Sequence, residues 1–324
     1  MVLVALSAEL GASRRGSNKG VECLRQALVQ KYPEVAKHAV FIKEEQCALD
    51  ISFKYAKRFE DYYLFCRDAL IPGMQKVFAE HQFPIILSSE HSNAFGIIQA
   101  LRSQHPKEKI GILYLDAHAD IHTAHDSHSG NIHGMPLGMV LNKVHAGPND
   151  LSAQEKEYWQ DLCSLGLEKG VVDFDPTQLV YFGVRSTERS EDEVIAEYNI
   201  PLFSVAQIRE DMFGVVQKAK EHLKGIHTIY LSLDVDVMDG GIFTSTGVRE
   251  KRGLYPHELQ DLLQLLLDTF GDRLAAIEIT EYNPDMHKGG RDDQQDVLEL
   301  LMSATRYALQ RKKHPHKTHS RDHV

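Results

Sequence analysis

Asp116, His118 and Asp120 stand two residues apart in the stretch Leu115–Pro136, LDAHADIHTAHDSHSGNIHGMP. All three side chains can ligate a metal ion, and in an extended chain alternate residues point to the same side. The run before them, Ile110–Leu115 (IGILYL), is apolar and reads as a buried parallel strand. The three side chains should therefore converge just past a strand's carboxyl end, where open α/β sheets place their ligand sites. Five of the eighteen histidines (His118, His122, His125, His128 and His133) fall within sixteen residues here.

A second acidic group, Asp234, Asp236 and Asp239, ends another apolar run in SLDVDVMD (Ser232–Asp239). The same alternation puts Asp234 and Asp236 on one side. His91 ends a third run, in SSEHS (Ser88–Ser92). One acidic run at a strand end is commonly a cap or a turn. Two of them plus a histidine imply a shared site. Two carboxylates about 4 Å apart repel by about 4 kcal/mol at an effective dielectric of about 20. Four in one pocket stay ionised only with cations, and a divalent pair about 3.5–4 Å apart supplies the charge. The donor set is oxygen-rich, with imidazoles and no thiolate. That favours Mn²⁺ and leaves Fe²⁺, Co²⁺ and Zn²⁺ open.

The elements that must position these groups alternate along the chain. Strands are expected at Val2–Leu6, Ala39–Ile42, Phe83–Leu87, Ile110–Leu115, Leu179–Val184, Pro201–Val205, Ile226–Leu233 and Leu274–Ile279. Helices are expected at Asn18–Val29, Tyr55–Glu80 with an interruption at Pro72-Gly73, from Ser92 or Asn93 as cap, and at Gly134–Val144. Further helices are expected at Ala153–Leu165, after the loop Arg185–Asp192 to Tyr198, and at Met212–Leu223, Pro256–Phe270 and Gln294–Gln310. Strict alternation predicts an α/β fold, a single three-layer α/β/α domain with a mainly parallel β-sheet.

At 324 residues, 43% hydrophobic and 25% charged, the chain has the composition of a globular protein with ample core. No apolar run approaches the ~20 residues that span a bilayer. The opening MVLVALSAELG lacks a basic region and reads as the first strand, so a cytoplasmic protein is expected. Cys23, Cys47, Cys66 and Cys163 are scattered without a CxxC pair, as expected of reduced structural thiols. The net charge of −10 argues against a general nucleic-acid binder, and no membrane partner is expected. The domain should cover residues 1–311, and residues 312–324, basic and His-rich, read as a disordered tail.

The motifs SSEHS, LDAHAD (Leu115–Asp120) and SLDVDVMD, together with GASRRG near the start and EITEYNP at Glu278–Pro284, resemble those of the ureohydrolases. These are the arginases, agmatinases, formimidoylglutamases and guanidinobutyrases. The likeness covers nearly the whole chain and implies an arginase-like fold. It implies that His91, Asp116, Asp120 and Asp234 hold one Mn²⁺, and that Asp116, His118, Asp234 and Asp236 hold a second. Asp116 and Asp234 then bridge, and a metal-bridging hydroxide attacks the guanidinium carbon. Asp120 thus belongs to the catalytic group as well as to the ligands. By the same resemblance Glu281 orients the guanidinium and His133 shuttles the proton.

The loop SGNIHGMP is similar to the arginase version, in which Ser129 and Asn131 would bind the substrate's α-carboxylate. Glu188, in GVRSTE, falls where arginases place an acidic residue near the α-amino group. The activity so implied is arginine to ornithine and urea. The alternative on the same centre is formimidoylglutamase or agmatinase/guanidinobutyrase chemistry. Three departures bear on recognition. SSEH replaces GGDH, so the turn before His91 lacks glycine's freedom. His122 stands where arginases have an Asn that contacts the carboxylate. Gly240 replaces a Pro and should loosen its loop. The family also implies a small-molecule guanidino or amidino substrate and a homo-oligomer, trimer or hexamer. A binding protein without catalysis should have lost metal ligands, and a deacetylase of this architecture should hold a single metal.

Overall fold

A computed structural model describes residues 1–44, 53–80, 82–142, 147–167 and 170–313. Among these residues, eight strands form one sheet in the order β2-β1-β3-β8-β7-β4-β5-β6. They are β1 (Val2–Ser7), β2 (Val40–Lys43), β3 (Pro84–Ser88), β4 (Ile110–Leu115), β5 (Leu179–Phe182), β6 (Leu202–Phe203), β7 (Thr228–Asp234) and β8 (Leu274–Thr280). Every strand pair is parallel. The α/β expectation holds, and β4 spans the residues expected of it.

Alternation along the strands divides the core into two layers. Ile112 and Tyr114 of β4 pack on one face with helices α2 (Phe59–Phe65), α3 (Ile71–Ala79), α4 (Asn93–Gln104), α5 (Pro136–Leu141) and α6 (Ala153–Ser164). Leu113 and Leu115 pack on the other, with α1 (Ser17–Lys31), α8 (Val205–His222), α9 (Pro256–Phe270) and α10 (Asp293–Lys313). The short α7 (Arg189–Glu197) contributes Val194 to the first face. Burial on both faces is why the strands read as unbroken apolar runs. Among the described residues no helix is long and apolar enough to cross a membrane.

Register explains where the site must form. Leu115 pairs with Leu233, Leu233 with Ile279, and Ile279 with Leu87. These four residues make one row across adjacent strands β4, β7, β8 and β3. The chain leaves the sheet just beyond that row, so Asp116, Asp234, Glu281 and His91 all emerge at one level of the carboxyl edge.

Several expected elements differ in physically explicable ways. The helix expected over Tyr55–Glu80 begins at Phe59. It is interrupted not at Pro72-Gly73 but by a π turn at Cys66–Leu70, just ahead of Pro72, whose nitrogen has no proton to continue the ladder. Pro201–Val205 shrinks to Leu202–Phe203 because Ser204 caps α8, exchanging hydrogen bonds with Gln207. That helix starts earlier than expected and is broken at Asp211 (φ −152°, ψ 75°). The helix expected from Gly134 to Val144 is Pro136–Leu141, and residues 143–146 lie outside the described ones. Ser92 and Asn93 precede and open α4 without capping it through their side chains. The helix α10 runs to Lys313, past the expected boundary at 311, and residues 314–324 and Cys47 lie outside the described residues.

Gly20 binds the first helix to the segment after β8, because a Cβ there would lie 1.9 Å from the carbonyl oxygen of Tyr282. Gly20→Ala should therefore lower stability by about 1–3 kcal/mol through overpacking. Urea unfolding reads this as a lower midpoint at unchanged slope; an unchanged midpoint would contradict the packing.

Candidate metal centre

Asp116 leaves β4 with its carboxylate lodged between two histidines. Its Oδ2 lies 2.8 Å from His91 Nδ1, and its Oδ1 lies 3.5 Å from His118 Nδ1. Around His91 Nδ1 the other near oxygens are Asp120 Oδ2 at 3.1 Å and Asp234 Oδ2 at 3.3 Å. Around His118 Nδ1 the near oxygen is Asp236 Oδ2 at 3.0 Å. Two sets of donor atoms could each hold an ion: His91, Asp116 and Asp120, and Asp116, His118 and Asp236, with the atoms of each set within 4.8 Å of one another. Asp116 belongs to both.

The local backbone brings these groups in by turns rather than by strand alternation alone. The strand β7 ends at Asp234, and Val235–Val237 forms a 3₁₀ turn in which the Asp236 N–H donates to Asp234 Oδ1 at 2.7 Å. The His118 N–H donates to Asp116 Oδ1 at 2.6 Å, and the Ala117 N–H to Asp236 Oδ1 at 3.1 Å. The convergence expected of Asp234 and Asp236 is present, but a folded turn makes it. Asp239 is not in the cluster, since its Oδ1 accepts the Gly241 N–H at 2.8 Å and closes a turn. Asp120 (φ 52°) and Glu281 (φ 67°) both hold left-handed backbone without being glycine. Such strain concentrates where a side chain must be aimed.

Electrostatics point the same way. Burial raises Asp116 to about 6, with Asp236 and Asp120 adding to it. Asp234 is pushed well above the carboxylate range by burial and then by Asp236 and Asp116. Burial alone would lower His91, but Asp116, Asp120 and Asp234 hold it well above its ordinary value. Burial opposes charge on His118 too, and Asp236 and Asp116 outweigh it. His91 Nδ1 and Asp116 Oδ2 are buried and close, yet neither has an aligned hydrogen-bond partner. A divalent cation satisfies both atoms and the repulsion at once, so the residues fit one.

A second sphere, not foreseen from the motifs, fixes His91. Its Nε2 lies 2.7 Å from Ser232 Oγ, which donates to Glu278 Oε2 at 2.8 Å, and the Tyr230 hydroxyl also donates to Glu278. This hydrogen-bond chain keeps a proton on Nε2, so that Nδ1, among the carboxylates, is the nitrogen that would ligate a metal. The ring stacks on Tyr114 at 4.4 Å and 4°, and the Tyr114 hydroxyl donates to Asp120 Oδ2 at 2.8 Å. The turn before His91 needs no glycine, since neither Ser88 nor Ser89 adopts positive φ. Nor does Gly240 loosen its loop. Its N–H donates to the Glu250 carbonyl at 2.8 Å, and a Cβ there would meet the Glu250 backbone at 3.0 Å.

A cavity of about 340 Å³ opens beside the cluster, lined by His118 and Asp120, by His133, and by Ser129, Asn131, His122 and Glu188. The candidate substrate contacts are therefore brought together. Glu281 is not among the lining residues; its Oε1 accepts the His91 N–H at 3.0 Å, and its Oε2 lies 3.9 Å from where a Cβ on Gly247 would stand. His128 Nδ1 and Glu188 Oε2 pair at 2.7 Å, and His122 Nε2 lies 3.5 Å from Glu191 Oε2. Burial opposes charge on His122, but Asp126, Glu191 and Glu188 push it up to about 9. Glu191 was missed from the motifs. Its signal is the capping box with Glu188 that opens α7, and burial raises it to about 7.

The chain matches the model of the Arginase family over residues 1–305. The crystal structure of arginase from Helicobacter pylori superposes with a TM-score of 0.83 at 55% identity, covering 95% of this chain and 99% of that one. The arginase of Bacillus subtilis is 25% identical over 289 residues, 87% of this chain and 90% of its own. The formimidoylglutamase of Bacillus subtilis, at 19% identity, shares the fold with a TM-score of 0.65, covering 94% of this chain and 85% of that one.

Because burial and neighbouring carboxylates favour protons on Asp234, His91 and His118, groups that a metal requires bare, metal binding should release protons at neutral pH, and apparent affinity should rise with pH. Titration of Mn²⁺ into metal-free protein in buffers of different ionisation enthalpy measures this; proton uptake would contradict the assignment. Asp116→Asn should weaken binding at both positions, whereas His118→Ala should spare one ion per chain. Metal analysis after gel filtration distinguishes the two, and loss of a single ion from Asp116→Asn would argue against a shared ligand.

Proposed function

The chain belongs to the arginase family, whose members are metal-dependent ureohydrolases, and on that premise we propose that it converts arginine to ornithine and urea at two Mn²⁺ ions. The observation that carries the reading is the shared carboxylate of Asp116, buried between His91 and His118 beside a cavity that His118 and Asp120 line. His91, Asp116, Asp120 and Asp234 would hold one ion, and Asp116, His118, Asp234 and Asp236 the other. Bound there, the pair supplies Lewis acidity and brings the ionisation of water near neutral pH.

The remaining steps fall to the chain's own side chains. Glu281, whose Oε1 accepts the His91 N–H at 3.0 Å, would orient the planar guanidinium through its other oxygen, Oε2. Burial lowers the proton affinity of His133, so its neutral ring would first accept a proton released by the attacking water and, once charged, return it to the departing amine. Ser129, Asn131 and His122 would receive the α-carboxylate, and Glu188 the α-amino group. Lys57 steadies that loop, its ammonium donating to Asn131 Oδ1 at 3.4 Å and its N–H to the Gly130 carbonyl at 3.1 Å. These last contacts distinguish arginine from agmatine, which has no carboxylate to bind. Arginine is also favoured by the 55% identity to the Helicobacter pylori arginase. Self-association as a trimer or hexamer belongs to the same proposal.

Urea release from arginine, agmatine and guanidinobutyrate with Mn²⁺, beside formamide release from formiminoglutamate, tests the substrate. Arginine should lead by a wide margin, and preference for any other member of the panel would overturn the choice. His133→Ala should lower kcat by about 10²–10⁴-fold with metal content unchanged. Unchanged turnover would remove His133 from the proton path.

A further inference from the structure

The turn Ser88–Ser92 carries more than the metal ligand His91. Glu90 is wholly buried beside it, and its carboxylate accepts only from donors of the chain. Oε1 takes the Gly11 N–H at 3.2 Å and the Ser92 hydroxyl; Oε2 takes the Ser92 N–H at 2.9 Å. Gly11 lies on the loop after β1, and its own carbonyl accepts the His133 N–H at 3.2 Å. One residue, Gly11, therefore links the Glu90 carboxylate through its N–H to the His133 backbone through its carbonyl. The approach is close, since a Cβ on Gly11 would lie 2.6 Å from Ser92 Oγ and 3.0 Å from Glu90 Oε2. No side chain larger than hydrogen fits there without moving the loop.

The motif as it stands in this chain has Glu where the family form has Asp, and the longer side chain is the one that spans to the Gly11 amide. We propose that Glu90 is a positioning residue for His133, acting through Gly11, so that the turn holding His91 also sets the place of the imidazole in the cavity. This deepens the proposed function and rests on His133 as the proton carrier. Glutamine at position 90 keeps the volume but must turn an amide N–H toward at least one of three donors, leaving a buried donor unpaired. Aspartate keeps the charge and loses the reach.

The test is a double-mutant cycle on the Mn²⁺-loaded protein. Glu90→Gln should lower kcat about tenfold with KM nearly unchanged, as expected for a catalytic group displaced by a fraction of an ångström. In a His133→Ala background the same change should alter kcat by less than about twofold, because the two residues act through one contact. Hydrogen exchange read by mass spectrometry should show faster exchange at the Gly11 and His133 amides of metal-free Glu90→Gln. An unchanged kcat in Glu90→Gln overturns the proposal, and so does an equal loss in both backgrounds, which would mean that Glu90 acts through His91. If His133→Ala alone keeps full turnover, the underlying reading of His133 fails instead, and the two failures are told apart. Should Glu90→Gln not retain metal, Glu90→Asp takes its place with the same expected pattern.

Discussion

The structure depends on buried like charges that cannot remain as they are without a counter-ion. Asp116, Asp120, Asp234 and Asp236 are each less than a tenth exposed and surround two imidazoles. Taking ionised carboxylates out of water costs several kcal/mol apiece, and their mutual repulsion adds to it. Burial and mutual repulsion raise the proton affinity of Asp116 and Asp234, and the surrounding carboxylates raise that of both histidines. The fold has to supply enough rigidity to hold the groups together. It does so with four adjacent strands, ended at one row by a common register.

Rigidity continues outward from that row. His91 is clamped by a stacked tyrosine, by the Ser232–Glu278 chain and by the sheet edge itself. On the opposite side of the cluster the guanidinium of Arg185 donates to the carbonyls of Asp236, Met238 and Glu250 at 3.0–3.1 Å. That ties the loop after Asp236 to the segment that leaves β5. The proposed ligands are thus built on element ends and fixed by carbonyls and carboxylates behind them, while the proposed recognition groups Ser129, Asn131 and Glu188 sit outside helix and strand. A metal centre placed on rigid supports with variable loops above it accommodates different guanidino substrates on one scaffold.

Much of this was legible in the residues. His91, Asp116 and Asp234 each follow an apolar run, so their meeting at the sheet edge follows from α/β topology. The departures were those that only three-dimensional packing decides. Asp236 reaches the cluster through a 3₁₀ turn, and Asp239 turns away to close a loop. Ser92 and Asn93 resemble caps, but their side chains are spent on Glu90, Ser88 and the Ala8 carbonyl. Tyr230, Ser232 and Glu278 look like ordinary strand residues, because their shared hydrogen bonds join β7 to β8 and leave no local spacing to read.

The most direct test of the central claim is electron paramagnetic resonance of the Mn²⁺-loaded protein. Two ions that shared Asp116, as proposed, would lie close enough to couple, and the spectrum should be that of a spin-coupled pair, with its broad multiline pattern at full loading. A simple six-line spectrum of isolated Mn²⁺ at full loading would show the ions to be independent, and the shared-carboxylate account would be wrong.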